Sequence, residues 1–316
     1  MAAHNAFIKR HTALSLIGAG LSVASLPIAA RAAVPLRIAT LPIDASALAF
    51  YAQDLGYFND AGFDVSIQSI ANGATITSAI ASGSLDIGWS NIVSLAAAYK
   101  HGIPIVIIGA GGVYTRGSVT NQLTVRKDSA IHTATDLSGK TIGCTGLSNI
   151  GQFAPELWID KNGGTSSSVR FIEFPLPELP AALDQRRIDA AWLAEPFINV
   201  AAPYARPIAN CFDDVAPRWM LGAWFTTPSW AAAHRDIVDT FRTIMAKTAT
   251  WANANQAQSG QILAKYAHLD PALLKNMHRI TYGTRANAVE IQPVIDLSAR
   301  YGALSATFSA QELLLS

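Results

Sequence analysis

Residues 136–196 constrain the fold of this chain more than any other stretch. The run DLSGKTIGCTG opens with a turn and a short apolar strand, 141–144, which enters a Gly/Ser/Asn loop, 145–151. A helix over 152–161, a strand over 169–174, a short helix over 178–185 and a strand over 190–193 follow, ending in Ala194-Glu195-Pro196. Apolar strands joined by helical crossovers build an open α/β sheet. Such sheets hold ligands at the carboxyl ends of their strands.

The first half of the chain has the same rhythm. Strands are predicted over 36–41, 63–70, 85–89 and 104–108, with helices over 47–55, 75–81 and 92–100 and a Gly-rich loop at 109–112. Right-handed crossovers make this an open, mostly parallel sheet. A strand over 122–126 leads into polar Lys127-Asp128-Ser129, and 224–227 reads as a returning strand. Helices are then predicted over 231–253, 256–266, 271–277 and 289–301.

The runs DLSGK, ALDQRRIDAAW and AEPF, in that order, resemble the periplasmic substrate-binding proteins of the nitrate/sulfonate/taurine class of ABC importers. The chain is also similar to the thiamine-pyrimidine-synthase-like binding proteins. The resemblance spans nearly all of 34–316. It implies an α/β type II periplasmic-binding-protein fold: one lobe from 33–121 plus 222–316, another from 122–221, and a ligand cleft between them. Hinge crossings are expected near 122–125 and 221–223. A monomer that hands a small molecule to an ABC permease and its ATPase in the inner membrane is implied, with no cofactor.

The N-terminus points the same way. No acid precedes Asp44; Lys9-Arg10 leads an uncharged stretch over 13–27, and Ala30-Arg31-Ala32 is a small-x-small cleavage site. This reads as a signal peptide over 1–32, cleaved near Ala32, with a periplasmic destination and the export route open between general secretion and twin-arginine. Cleavage removes Lys9, Arg10 and Arg31 and no acid, so the formal charge falls from +1 to −2. A nearly neutral mature chain has no electrostatic footprint for nucleic acid or anionic lipid. No later stretch reaches the roughly 18 apolar residues of a membrane span. Cys144 and Cys211 read as two buried thiols or as one disulfide; neither has a CxxC neighbour, so metal binding has no support.

Candidate ligand residues lie in the loops after strands. Gly146, Ser148 and Asn149 precede a helix and present N–H and hydroxyl groups to an oxyanion, cap that helix, or do both at once. Ser90-Asn91 has the same duality in the first half. Trp89 either stacks on a ligand or fills the core. Asp44, with Ser46 in the same loop, either pairs with a ligand ammonium or caps the next helix. Arg116 grips an oxyanion or is solvated, with Tyr114 beside it as a hydroxyl donor. Glu195 accepts from a ligand donor or caps the helix after Pro196.

No G-x-S-x-G, H-E-x-x-H, P-loop or G-x-G-x-x-G is present. The reading is therefore a binding protein for a small organic anion or zwitterion, a sulfonate or a small aromatic or heterocyclic solute. An enzyme of pyrimidine-precursor synthesis on the same scaffold is one rival, although the Cys-rich run of those enzymes is absent. A periplasmic sensor feeding a receptor is another.

Overall fold

The computed structural model describes residues 33–70, 72–274 and 277–315. The signal peptide expected over 1–32 lies outside them. The first lobe starts with β1 (Val34–Thr40), a 3-10 turn at Asp44–Ser46, α1 (Leu48–Asp54), α2 (Tyr57–Asp60), β2 (Phe63–Ser69), α3 (Gly73–Ala81), β3 (Ile87–Asn91), α4 (Ile92–Lys100), β4 (Val106–Ala110) and β5 (Gly112–Thr115). The second lobe holds β6 (Asn121–Arg126), β7 (Thr141–Cys144), α5 (Ile150–Lys161), β8 (Arg170–Glu173), α6 (Leu179–Asp184), β9 (Ala190–Ala194), α7 (Phe197–Ala201) and β10 (Ala205–Ala209). The chain returns through β11 (Arg218–Met220) and β12 (Gly222–Thr226). It finishes with α8 (Pro228–Ala233), α9 (Arg235–Ala254), α10 (Gln256–Ala267), β13 (Thr281–Tyr282) and α11 (Ala288–Arg300).

Each lobe is built on a five-stranded sheet, ordered β2-β1-β3-β12-β4 in the first and β10-β6-β9-β7-β8 in the second. The pairs β1–β2, β1–β3, β7–β8 and β7–β9 are parallel, as the strand-and-crossover rhythm predicts. The returning strand does not extend the first sheet at its edge. β12 inserts between β3 and β4 and runs antiparallel to both. Its Thr226 hydroxyl donates to the Asp86 carbonyl at 2.7 Å.

Three expectations are corrected. The stretch 109–112 is not a loop: Gly112 starts β5, which pairs antiparallel with β11 and β13 in a small third sheet. The helix expected over 231–253 is two helices, because His234 has φ −130° and ψ 44° and breaks the helical path. Of the helix expected over 271–277, Pro271–Leu274 form a 3-10 turn, and 275 and 276 lie outside the described residues.

Packing explains the local choices. Gly88 in β3 lies under α3, where an added Cβ would sit 2.6 Å from the Ile76 side chain, so only glycine lets the helix approach this sheet so closely. An aromatic cluster joins the small sheet to the second lobe. Tyr114 of β5 and Trp219 of β11 pack on Phe212 at 5.3 and 4.7 Å between centroids, and Phe212 packs on Trp192 of β9 at 5.6 Å. No helix among the described residues is long and apolar enough to cross a membrane.

Candidate functional site

The parallel strands of both sheets deliver their carboxyl ends to one cavity of about 90 Å³. Leu41 and Ile43 follow β1, Asn72 follows β2, Asn91 ends β3, Thr145 follows β7, Leu176 follows β8 and Glu195 follows β9; all line it. This is the strand-end position that open α/β sheets use for ligands. At such a volume, of the order of a benzene-sized cavity of about 150 Å³, the site suits a small solute.

Three helices start at this cavity. Asn72 caps α3 by accepting from Ala74 N at 2.8 Å. Asn91 caps α4 by accepting from Ser94 N at 2.9 Å. Asn149 caps α5 by accepting from Ile150 N at 2.6 Å. All three asparagines line the cavity, so three helix N-termini, each equivalent to roughly half a positive charge, end on its wall. Capping and lining are thus not alternatives at Asn91 and Asn149, since one side chain does both.

Two indoles complete the wall, Trp89 from the first lobe and Trp192 from the second. Each is nearly buried, and neither Nε1 has a hydrogen-bond partner among the described residues. Trp224 Nε1 in the first-lobe core is also unpartnered, so what distinguishes Trp89 and Trp192 is the cavity they line. Trp89 is seated by two glycines. A Cβ on Gly222 would lie 2.2 Å from the Trp89 ring, and one on Gly111 would lie 2.4 Å from its Nε1.

Asp44 reaches the cavity wall but is already committed. Its carboxylate pairs with Arg279 Nη2 at 2.7 Å and accepts from Ile280 N at 2.8 Å, with both ion-pair side chains buried. Tyr282 donates to the Asp44 carbonyl, and Tyr51 Oη lies 3.3 Å from Asp44 Oδ1. Asp44 therefore neither caps α1 nor offers a free charge to a ligand ammonium. Glu195 differs. Its Oε1 accepts from His278 N at 3.2 Å, but its Oε2 is buried without a partner among the described residues. Burial, with the nearby Asp44 charge, pushes the Glu195 carboxyl up to about 7, against the opposing pull of the His278 and Asn199 N–H groups. It does not cap α7, whose N-cap is Pro196.

The remaining candidates do not line the cavity. Ser46 turns its hydroxyl to the Leu41 carbonyl at 2.7 Å. Ser90 is fully buried beside Gly73. Tyr114 is a core residue of β5 whose hydroxyl lies 2.8 Å from Asp213 Oδ1. Arg116 is exposed and donates to the Asp213 carbonyl at 3.1 Å. Ser148 is exposed with φ 54°, and its N–H is taken by Gln152 Oε1 at 2.8 Å; Gly146 packs on Asn149. Tyr114 lies in a paired strand, not a cleft loop, and Arg116 lies in the turn that follows that strand.

Sequence reasoning missed Trp192, Asn72, Thr145 and Arg279. Asn72 and Thr145 carry the signal that identified Asn91 and Asn149, a polar residue at or after a strand end, and Trp192 is an indole within the strand that leads to Glu195. Arg279 carries no local signal, because its partner is 235 residues away.

Comparison with known proteins places this architecture. The sequence model of the family described as NMT1/THI5 like matches residues 45–259, more than half of the chain. The chain belongs to the NMT1/THI5-like family. No curated protein matches the sequence. Among solved structures, the periplasmic aliphatic sulphonate binding protein SsuA from Escherichia coli is similar with a TM-score of 0.72 at 16% identity, over 89% of this chain and 92% of that one. The alkanesulfonate-binding protein SsuA from Xanthomonas axonopodis pv. citri, bound to MOPS, gives 0.68 at 20% identity, over 91% and 96%. The periplasmic nitrate-binding protein NrtA from Synechocystis PCC 6803 gives 0.73 at 12% identity, over 89% and 84%. This NMT1/THI5-like chain thus has the two-lobed fold of periplasmic binding proteins.

Both cysteines of the chain are free buried thiols. Burial pushes Cys144 up to about 11 and Cys211 higher still, which leaves neither as a ready nucleophile.

Proposed function

We propose that this protein is the exported solute-binding component of an ABC importer and captures a small organic anion between its lobes. The observation that carries the reading is the cavity wall, where three helix N-termini and two indole rings meet. Such a wall favours negative charge without a cationic side chain. The structural neighbours named for a sulphonate and for nitrate suggest ligands of the same sign. Leu41, Ile43, Leu176 and Ile280 add apolar surface that a bare nitrate does not need, so the preferred ligand has an organic body, as an organic sulfonate or a small aromatic or heterocyclic acid does.

In this reading contacts from both lobes stabilise a closed state. A membrane permease with its ATPase recognises that state, and the binding protein acts as a monomer. The segment 1–32 directs export to the periplasm and is removed. No covalent step is needed.

The test is a thermal-shift screen of residues 33–316 against ethanesulfonate, taurine, benzoate, pyrimidines and nitrate. A ligand bound only by the folded state adds about 2.7 kcal/mol at a hundredfold excess over its dissociation constant. A rise of several degrees with organic sulfonates or aromatic acids is expected. A flat response across the panel contradicts the proposal. Turnover of a pyrimidine precursor supports the enzyme alternative instead.

A further inference from the structure

Asp44 and Glu195 are the two ionisable side chains on the described cavity wall. Asp44 is balanced by Arg279 at 2.7 Å, and both are buried. Glu195 is 3% exposed and has no cationic partner among the described ion pairs. Its Oε1 is tied to the opposite lobe through the His278 backbone N–H, and its Oε2 is unpartnered. The other unpartnered side-chain polar atoms of the lining are the indole donors of Trp89 and Trp192.

An ionised Glu195 sets an uncompensated negative charge against an anionic ligand in a low-dielectric site. A protonated Glu195 removes that charge and presents an O–H donor in its place. Resting on the reading of the cavity as an anion site, we propose that Glu195 is its specificity-determining residue, acting in the protonated form: Oε2–H donates to a ligand oxygen, and capture of the anion takes up one proton from solvent. No covalent bond of the ligand forms or breaks; the proton adds to the carboxylate. A carboxyl that burial already raises to about 7 gains that proton near neutral pH.

Among the described residues, these groups face Glu195. Asp44 and Arg279 approach from the first lobe as a neutral pair, and Asn199 approaches from α7. His278 contributes its backbone N–H, and its side chain is the nearby titratable group to be controlled for.

The experiment is isothermal titration calorimetry of residues 33–316 with ethanesulfonate and benzenesulfonate, from about pH 5.5 to about pH 8.5, in buffers of different ionisation enthalpy. Sulfonates hold their charge across this range, so any pH dependence belongs to the protein. Above about pH 7 affinity is expected to fall roughly tenfold per pH unit, with buffer-dependent heats that report proton uptake. Glu195→Gln, which keeps an acceptor for His278 and supplies a permanent donor, is expected to bind with a flat profile. His278→Asn is expected to keep the slope. Affinity that is flat or rises with pH in the wild type, or a Glu195→Gln profile that keeps the wild-type slope, overturns the proposal while leaving the anion site standing. Buffer-dependent uptake in the wild type decides the matter if Glu195→Gln does not fold. Sulfonate binding at no pH overturns the anion reading together with this proposal.

Discussion

Asp44 and Glu195 are two acids on one cavity wall with opposite assignments, and the difference lies in their partners. The buried Asp44–Arg279 pair is a structural brace between the first strand-end loop and the segment before β13. Removing one member leaves a buried uncompensated charge, which costs about 3–5 kcal/mol. Asp44→Asn is therefore expected to lower stability by that amount in urea denaturation. A change below about 1 kcal/mol contradicts the brace. Glu195 works against stability when ionised. Its folded pKa of about 7 lies above the ordinary 4.5, so the folded state holds the proton more tightly. Its contribution to stability is full below about pH 4.5 and falls as pH rises to about 7, by about 3 kcal/mol in total. Ligand-free Glu195→Gln is expected to be more stable than wild type near pH 8 and to lose that advantage near pH 4.5, in thermal melts at each pH. The sequence shows both acids at strand ends, but it does not show that Arg279 pairs with one while no described ion pair reaches the other.

Helices and strands set the donors in place. The capping logic that marks Ser90-Asn91 and Asn149 in the sequence also marks Asn72, and the structure brings all three asparagines to the cavity. Asn149→Ala is expected to cost about 1 kcal/mol of stability through the lost cap and to weaken anion binding. Unchanged affinity by calorimetry contradicts the role of α5. Gly222→Ala is expected to displace the Trp89 indole, because its Cβ would lie 2.2 Å from the ring and 2.7 Å from the Ser90 carbonyl oxygen. A loss of ligand-induced tryptophan fluorescence change is the readout; an unaltered response contradicts the seating. The parallel strands were legible because each follows an apolar run closed by a turn signal. β5 was not, because its Gly-Gly start reads as a loop and its partners β11 and β13 are far along the chain. The antiparallel insertion of β12 is likewise a pairing choice that strand sequence alone does not encode.

At the scale of the whole molecule the two sheets meet through more than the cavity. Tyr301, just after α11 of the first lobe, donates to Asp160 Oδ2 of α5 at 2.9 Å and stacks on Phe153 at 5.9 Å between centroids. Arg218 of β11 pairs with Glu290 of α11 at 2.6 Å. In the proposed function the ligand lies between lobes that already share a packed side, and closure on the cavity side pivots about that contact. Small-angle scattering is expected to show a smaller radius of gyration with a bound sulfonate. The two-lobe architecture was legible because its motifs occur in order along the chain, whereas the residues that wall the cavity come together only through long-range packing.

The most direct test of a ligand clamped by both lobes is the affinity of the best-responding anion for Trp89→Ala and Trp192→Ala. Aromatic contacts are worth about 0.5–1.5 kcal/mol beyond their buried area. Each variant is accordingly expected to bind about two- to tenfold more weakly or worse, while its fold is retained by circular dichroism. Wild-type affinity in either folded variant contradicts the clamp, because the ligand would then be held by one lobe alone.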